Sequence, residues 1–88
     1  VRELPVDYIK IDQSFIRFIH ERESDQILVK SMVEMSHNLG KKVIVEGVEN
    51  MEAFNIVREI GVECVQGYYV SRPVPISALD LSLSIKGV

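Results

Sequence analysis

Three polar side chains, Lys10, Glu46 and Gln66, interrupt apolar runs in this 88-residue sequence. An ammonium group can offset the charge of a phosphate, a carboxylate can accept a proton from water, and an amide can hydrogen-bond a ligand. Burying each of them without a partner would cost several kcal/mol. We therefore interpret the three as one polar site. The residues alone leave two alternatives open, namely a structural ion pair between Lys10 and Glu46, or ordinary exposed positions.

Each of these side chains falls in a run of β-branched and aromatic residues that is typical of a strand. The predicted strands cover residues 6–12, 43–49 and 62–70, and Pro73 and Pro75 are expected to end the third. The three polar side chains lie near the carboxyl ends of these strands, where parallel α/β folds bind their ligands. If they point the same way, an acid, a base and an amide converge on one edge of the sheet.

Two helices separate the predicted strands. Ser24 is the predicted N-cap of the first, and its inward face is predicted from apolar residues at helical spacing, Leu28, Met32, Met35 and Leu39. The second runs from the predicted cap Asn50 to Gly61, with Ala53, Phe54, Val57 and Ile60 facing inward. The order β–α–β–α–β predicts a parallel α/β sheet with right-handed crossovers and helices covering both faces of the central strand.

Other residues with chemical potential are predicted to be structural. His20 and His37 have no metal-ligand partner at helical spacing, and Cys64 belongs to no Cys or His motif. Gly47 and Gly67 directly follow Glu46 and Gln66 in the sequence. They allow either close approach by a ligand or relief of crowding at the edge of the sheet, and the sequence does not decide between the two.

Charge and composition exclude several classes of partner. Ten basic against thirteen acidic residues give a net charge of −3, so no nucleic acid polymer and no polybasic membrane contact is expected. No uncharged run approaches the roughly 20 residues of a transmembrane segment. The single cysteine rules out an intrachain disulfide and a cysteine-based zinc site, and it predicts a cytoplasmic location.

Three sequence motifs resemble, in the same order, motifs of the EAL domain family, bacterial phosphodiesterases that hydrolyse cyclic di-GMP. Residues 4–12 followed by Phe15 are similar to the family motif LPVDxLKID…F. Residues 45–50 are similar to AEGVET, and residues 66–75 to QGYxFSRPLP. Each motif is moderately specific, and their common order with a helix between each pair makes the resemblance strong.

The resemblance implies that residues 1–80 are the C-terminal part of an EAL domain and that residues 81–88 are a tail. The fold class is then α/β, a βαβαβ parallel fragment that supplies the last three strands of a TIM-like (β/α) barrel. The sequence opens without methionine, which also predicts a fragment. Exposed parallel edges are a liability for a monomer, so a homo-oligomer or association with the missing part of the barrel is expected.

The resemblance also implies roles for individual residues. Lys10 holds the attacking water or the scissile phosphate, and Glu46 orients or deprotonates that water beside a metal that it contacts through water. Gln66 lines the substrate site, and Asp12 and Glu49 support it. The implied cofactor is Mg²⁺ or Mn²⁺, held mainly by residues outside this sequence.

The implied reaction is hydrolysis of cyclic di-GMP to linear pGpG, with the isolated fragment inactive. The sequence leaves two alternatives open. A catalytically degenerate EAL domain would act as a cyclic di-GMP receptor, and a protein-interaction module would pair its open strand edges with another chain.

Overall fold

The computed structural model of the chain describes residues 7–67 and 70–78, and it describes residues 70–72 by their backbone alone. Within these residues one sheet contains four strands in the order β1-β2-β3-β4: β1 (Tyr8–Ile11), β2 (Lys42–Val48), β3 (Cys64–Gly67) and β4 (Val70–Pro75). The first three are parallel, and β4 is antiparallel to β3. The predicted α/β class is therefore confirmed, with one more strand than predicted. The predicted tail lies outside the described residues.

Helical segments connect the parallel strands: a 3₁₀ turn at Gln13–Phe15, helix α1 (Glu23–Asn38) and helix α2 (Met51–Ile60). α2 begins and ends as predicted, because the Asn50 side chain accepts a hydrogen bond from the Ala53 N–H and Gly61 is left-handed at its end. No helix in the described part of the chain is both long and apolar enough to cross a membrane.

The prediction that two prolines end the third strand is wrong. β3 ends at Gly67, and Pro73 and Pro75 belong to β4. β4 is an edge strand of the described sheet and pairs there with β3 alone. Proline lacks the backbone N–H that a central strand needs for pairing on both sides, whereas an edge strand needs pairing on one side only. This is why the prolines are compatible with a strand here.

The apolar core lies between one face of the sheet and the two helices. Its buried members are Ile11, Ile16, Ile19, Val29, Val33, Val43, Val45, Ala53, Phe54, Val57, Val62, Val65 and Ile76. In β2, Val43 and Val45 are buried, whereas Ile44 and Glu46 on the opposite face are only half-buried. Helices therefore cover one face of β2, and the predicted cover on both faces is absent among the described residues.

α1 buries a different face from the predicted one. Val29, Val33 and Ser36 are buried and Met32 is partly buried, whereas Leu28, Met35 and Leu39 are exposed. The helix carries two adjacent apolar stripes, and periodicity alone does not show which of them meets the sheet. The predicted Ser24 cap is also wrong, because Arg22 occupies the N-cap position and provides no side-chain hydrogen bond.

Glu63 joins three elements near the amino ends of the strands. Its carboxylate accepts a hydrogen bond of 2.7 Å from the Val43 N–H of β2 and lies 2.8 Å from His37 Nε2 of α1. Its backbone C=O accepts a further bond from the Ile76 N–H. His37 thus has a structural contact, as the sequence predicts, while the bracing role of Glu63 does not follow from the sequence.

Replacing Glu63 by alanine is expected to destabilise the chain by about 1–3 kcal/mol, because the N–H of the buried Val43 loses its acceptor. Glu63→Gln keeps an amide oxygen for that N–H and is expected to cost clearly less. Urea unfolding measures both variants. Equal free energies of unfolding for the two variants would contradict this role for the carboxylate oxygen.

Burial is expected to lower the reactivity of Cys64. The side chain is buried, and desolvation, followed by the nearby Glu63 charge, raises the pKa of its thiol. Because the thiolate is the reactive form, we expect alkylation of the native chain to be at least roughly tenfold slower than that of the chain unfolded in urea. Equal alkylation rates in the two conditions would show that Cys64 is accessible.

Candidate functional site

Strand register places Lys10, Glu46 and Gln66 on the same face of the sheet. Lys10 pairs with Ile44, and Glu46 pairs with Gln66. Side chains alternate along a strand, so Ile44 and Glu46 share a face, and residues paired in a parallel ladder also share one. The three polar side chains therefore lie on the face opposite the helices, near the carboxyl ends of β1, β2 and β3.

Two of these side chains are in direct contact. Lys10 Nζ lies 3.2 Å from Glu46 Oε2, and the side chains remain 55% and 29% exposed. An ion pair this exposed stabilises a fold by about 0–1 kcal/mol. The contact between Lys10 and Glu46 is thus the one expected from the structural alternative, but its contribution to stability is small. The same exposure leaves an ammonium and a carboxylate accessible to a ligand.

The two residues predicted to support the site do not touch this ion pair. Asp12 caps the turn after β1 by accepting a hydrogen bond of 2.9 Å from the Ser14 N–H. That backbone bond, then the Ser14 side chain and the Arg17 charge, lower the pKa of the Asp12 carboxyl. Glu49 follows the end of β2 and is exposed. Asp12 therefore shapes the backbone beside the site.

Gly47 and Gly67 relieve crowding between chain segments. Gly47 has φ +87° and is an extra residue in β2, because Glu46 pairs with Gln66 and Val48 pairs with Gly67. A Cβ on Gly47 would lie 2.6 Å from Gln13 Cβ, and one on Gly67 would meet the Val48 carbonyl oxygen. Of the two interpretations that the sequence leaves open, the structure supports the close packing of backbone segments.

The described residues do not form a metal centre by themselves. No three His, Cys, Asp or Glu side chains in residues 7–67 and 70–78 converge closely enough to hold an ion. Glu46 is the carboxylate at the centre of the polar face, and the cationic Lys10 lies beside it. A metal at this edge would need most of its ligands from elsewhere.

Sequence reasoning misses one residue next to the site. Gln13 packs against Gly47, the residue that directly follows Glu46. Gln13 and Gly47 are distant in sequence. A glycine at the end of a strand indicates a close neighbour. It does not identify that neighbour.

A mostly parallel α/β sheet with polar side chains at the carboxyl ends of its strands is typical of (β/α)-barrel enzymes. The sequence profile described as "EAL domain" matches residues 1–73, and the chain belongs to this family.

Individual relatives agree with this assignment. The chain is 40% identical over 80 residues to cyclic di-GMP phosphodiesterase NbdA of Pseudomonas aeruginosa, covering 91% of this chain and 10% of NbdA. It is 43% identical to an EAL domain protein from Listeria monocytogenes, with a TM-score of 0.70, covering 93% of this chain and 33% of that structure.

A standalone EAL protein from Vibrio cholerae, solved in its c-di-GMP-bound form, is 33% identical with a TM-score of 0.70. The match covers 76% of this chain and 28% of that structure. The chain therefore corresponds to part of an EAL barrel, and it spans about a tenth of the NbdA sequence.

Proposed function

We propose that the chain supplies part of the active site of a phosphodiesterase that hydrolyses cyclic di-GMP to linear pGpG. The observation that carries the proposal is the solvent-accessible pair of Lys10 and Glu46, 3.2 Å apart, on the same face as Gln66 in a member of the EAL family. The names of relatives such as NbdA support this substrate.

The three side chains have complementary roles in this reaction. Water attacks phosphorus, and the Glu46 carboxylate accepts the proton that the water loses. One P–O ester bond breaks, and the ribose oxygen that leaves becomes a hydroxyl by taking up a proton from solvent. The Lys10 ammonium offsets the charge that develops on the phosphate oxygens. The Gln66 amide hydrogen-bonds the substrate, while Asp12 and Glu49 support the surrounding backbone and electrostatics.

EAL phosphodiesterases generally use divalent metal ions, and Mg²⁺ or Mn²⁺ is the cofactor we expect here, with most ligands outside this sequence. Glu46 is its expected contact, through water. A bound divalent cation lowers the pKa of a coordinated water. Because the described residues do not form the metal site, the isolated chain is expected to be inactive.

Two further expectations concern the setting of the site. The β1 edge has no neighbour in the described sheet, which favours association with the rest of a barrel or with a second copy. A cytoplasmic location is proposed on the single, buried and unpaired cysteine.

The proposal is tested by replacing the matched 80-residue segment of NbdA with that of this chain. We call this protein grafted NbdA and expect it to release pGpG from cyclic di-GMP, whereas the isolated chain should not. Binding of cyclic di-GMP without hydrolysis would favour a receptor. Absence of both binding and hydrolysis, with dimers of the isolated chain in light scattering, would favour an interaction module.

A further inference from the structure

Glu46 lies beyond the end of the ladder that joins β1 to β2. The last paired residues of these strands are Ile11 and Val45, so backbone pairing with β1 does not fix Glu46. Its partner Lys10 lies within the ladder, opposite Ile44. On its other side Glu46 pairs with Gln66 of β3. The distance between the two charged groups therefore also depends on how the end of β2 packs against the segment that follows β1.

The turn after β1 lies against the end of β2. Gln13 begins this turn, and its Cα and Cβ lie where a side chain on Gly47 would have to go, 3.1 Å and 2.6 Å from an added Cβ. Asp12 stabilises the turn by accepting the hydrogen bond from the Ser14 N–H. The Gln13 C=O accepts hydrogen bonds from the N–H groups of Ile16 and Arg17, and these bonds also stabilise the turn.

The extra residue in β2 lies at the point of this contact. The regular pairing with β3 shifts between Glu46 and Val48, and Gly47 between them has a left-handed backbone. A β-bulge re-aims the side chains beside it. The direction of the Glu46 side chain is thus coupled to the backbone of Gly47, which packs against Gln13 of the turn.

We propose that the turn capped by Asp12, through the contact of Gln13 with Gly47, holds Glu46 in reach of Lys10. Asp12 and Gln13 are then positioning residues, and their effect on hydrolysis rests on the function proposed above. The carboxylate of Asp12 acts through its hydrogen bond to the backbone, so any side chain that caps the turn equally well should replace it.

Carbodiimide coupling of the full chain measures the proximity of the two charged groups without any hydrolysis assay. The reagent activates a carboxylate, a neighbouring lysine amine attacks it, and an amide forms while the reagent leaves as a urea. Peptide mapping by mass spectrometry quantifies the Lys10–Glu46 link. The Lys41–Asp7 pair, 3.1 Å apart at the other end of the strands, provides an internal control.

Gly47→Asn tests the contact, because asparagine tolerates the positive φ but adds a Cβ against Gln13. We expect the Lys10–Glu46 link to fall roughly threefold or more relative to the Lys41–Asp7 link, and Gln13→Gly in the same chain to restore part of it. Gly40→Asn is the matched control, since Gly40 has φ +75° with nothing within 4 Å of an added Cβ. An unchanged Lys10–Glu46 link in folded Gly47→Asn would overturn the proposal.

Asp12 provides a second test should Gly47→Asn fail to fold. Asp12→Ala removes the cap and is expected to lower the Lys10–Glu46 link roughly threefold, whereas Asp12→Asn keeps it near the wild-type yield. In grafted NbdA, Asp12→Ala should lower kcat about 10- to 100-fold with little change in KM. The Asp12→Asn variant should keep most of the wild-type kcat. Equal losses for alanine and asparagine, in linkage or in kcat, would overturn positioning by the cap.

The two measurements separate this proposal from the proposed function. The expected linkage pattern supports the positioning contact even if grafted NbdA does not hydrolyse cyclic di-GMP. Absence of hydrolysis would then contradict the phosphodiesterase role alone. Hydrolysis by grafted NbdA, combined with linkage that none of the Asp12 or Gly47 variants changes, would overturn the positioning contact alone.

Discussion

Replacing Glu46 by glutamine in grafted NbdA is expected to lower kcat for cyclic di-GMP about 100- to 10,000-fold. Glutamine keeps the size of the side chain and can still contact Lys10, but it does not accept the proton that water loses during attack. KM should change little, because the substitution removes an interaction that is strongest in the transition state. Steady-state release of pGpG, followed by chromatography, measures both constants.

Replacing Lys10 by methionine is expected to have a comparable effect for a different reason. Methionine matches the length of the lysine stem but removes the positive charge that we propose lies beside the phosphate. Charge that develops on the phosphate oxygens is then stabilised less, so kcat falls by about 100-fold or more. KM should also rise, because the ammonium attracts the charged substrate before reaction.

The chain contains a matched control for both substitutions. Lys41 and Asp7 form an ion pair of 3.1 Å that resembles the Lys10–Glu46 pair but lies near the amino ends of β1 and β2. Lys41→Met and Asp7→Asn should therefore leave kcat within about twofold of the wild type, as expected for exposed pairs remote from a site. Equal losses at both ends of the sheet would mean that the substitutions act through stability, which would contradict the assigned roles.

Replacing Gly67 by alanine is expected to have the largest effect on stability. An added Cβ would meet the carbonyl oxygen of Val48 and lie 2.7 Å from its carbonyl carbon and 2.8 Å from its nitrogen. These are backbone atoms of the neighbouring strand β2, so no side-chain rotation relieves the overlap. We expect β2 and β3 to separate locally and the free energy of unfolding to fall by about 3 kcal/mol or more.

Gly40→Ala is the control for this prediction. Gly40 is left-handed and nothing lies within 4 Å of an added Cβ, so alanine there meets backbone strain without overlap. That strain costs about 1–2 kcal/mol. Urea unfolding of the two variants should therefore rank Gly67→Ala clearly below Gly40→Ala. A Gly67→Ala chain as stable as the wild type would contradict the close packing of β3 against Val48.

Local pattern predicts the placement of the polar residues well. Alternation along strands and the carboxyl-end rule bring Lys10, Glu46 and Gln66 to one face, and the parallel register confirms it. The cap at Asn50 and the end of α2 at Gly61 are also predicted, because both depend on residues close in sequence. Each of these features is determined by local chemistry.

Features that depend on packing between distant segments are predicted poorly. Leu28 and Met35 match helical spacing as well as Val29 and Val33 do, so only the position of the sheet decides which stripe of α1 is buried. The prolines are compatible with β4 because that strand pairs on one side only in the described sheet. The sequence does not show which strand lies at the edge of the sheet. The contact of Gln13 with Gly47 joins residues from different strand ends and has no sequence signature.

The most direct test of the proposed phosphodiesterase role is the rate of pGpG release by grafted NbdA, compared with that of unmodified NbdA. If Lys10, Glu46 and Gln66 of this chain complete a functional active site in grafted NbdA, the two rates should agree within about tenfold, as expected when reacting groups keep their geometry. A grafted protein that folds and binds cyclic di-GMP, yet releases no pGpG above background, would contradict the catalytic role assigned to Lys10 and Glu46.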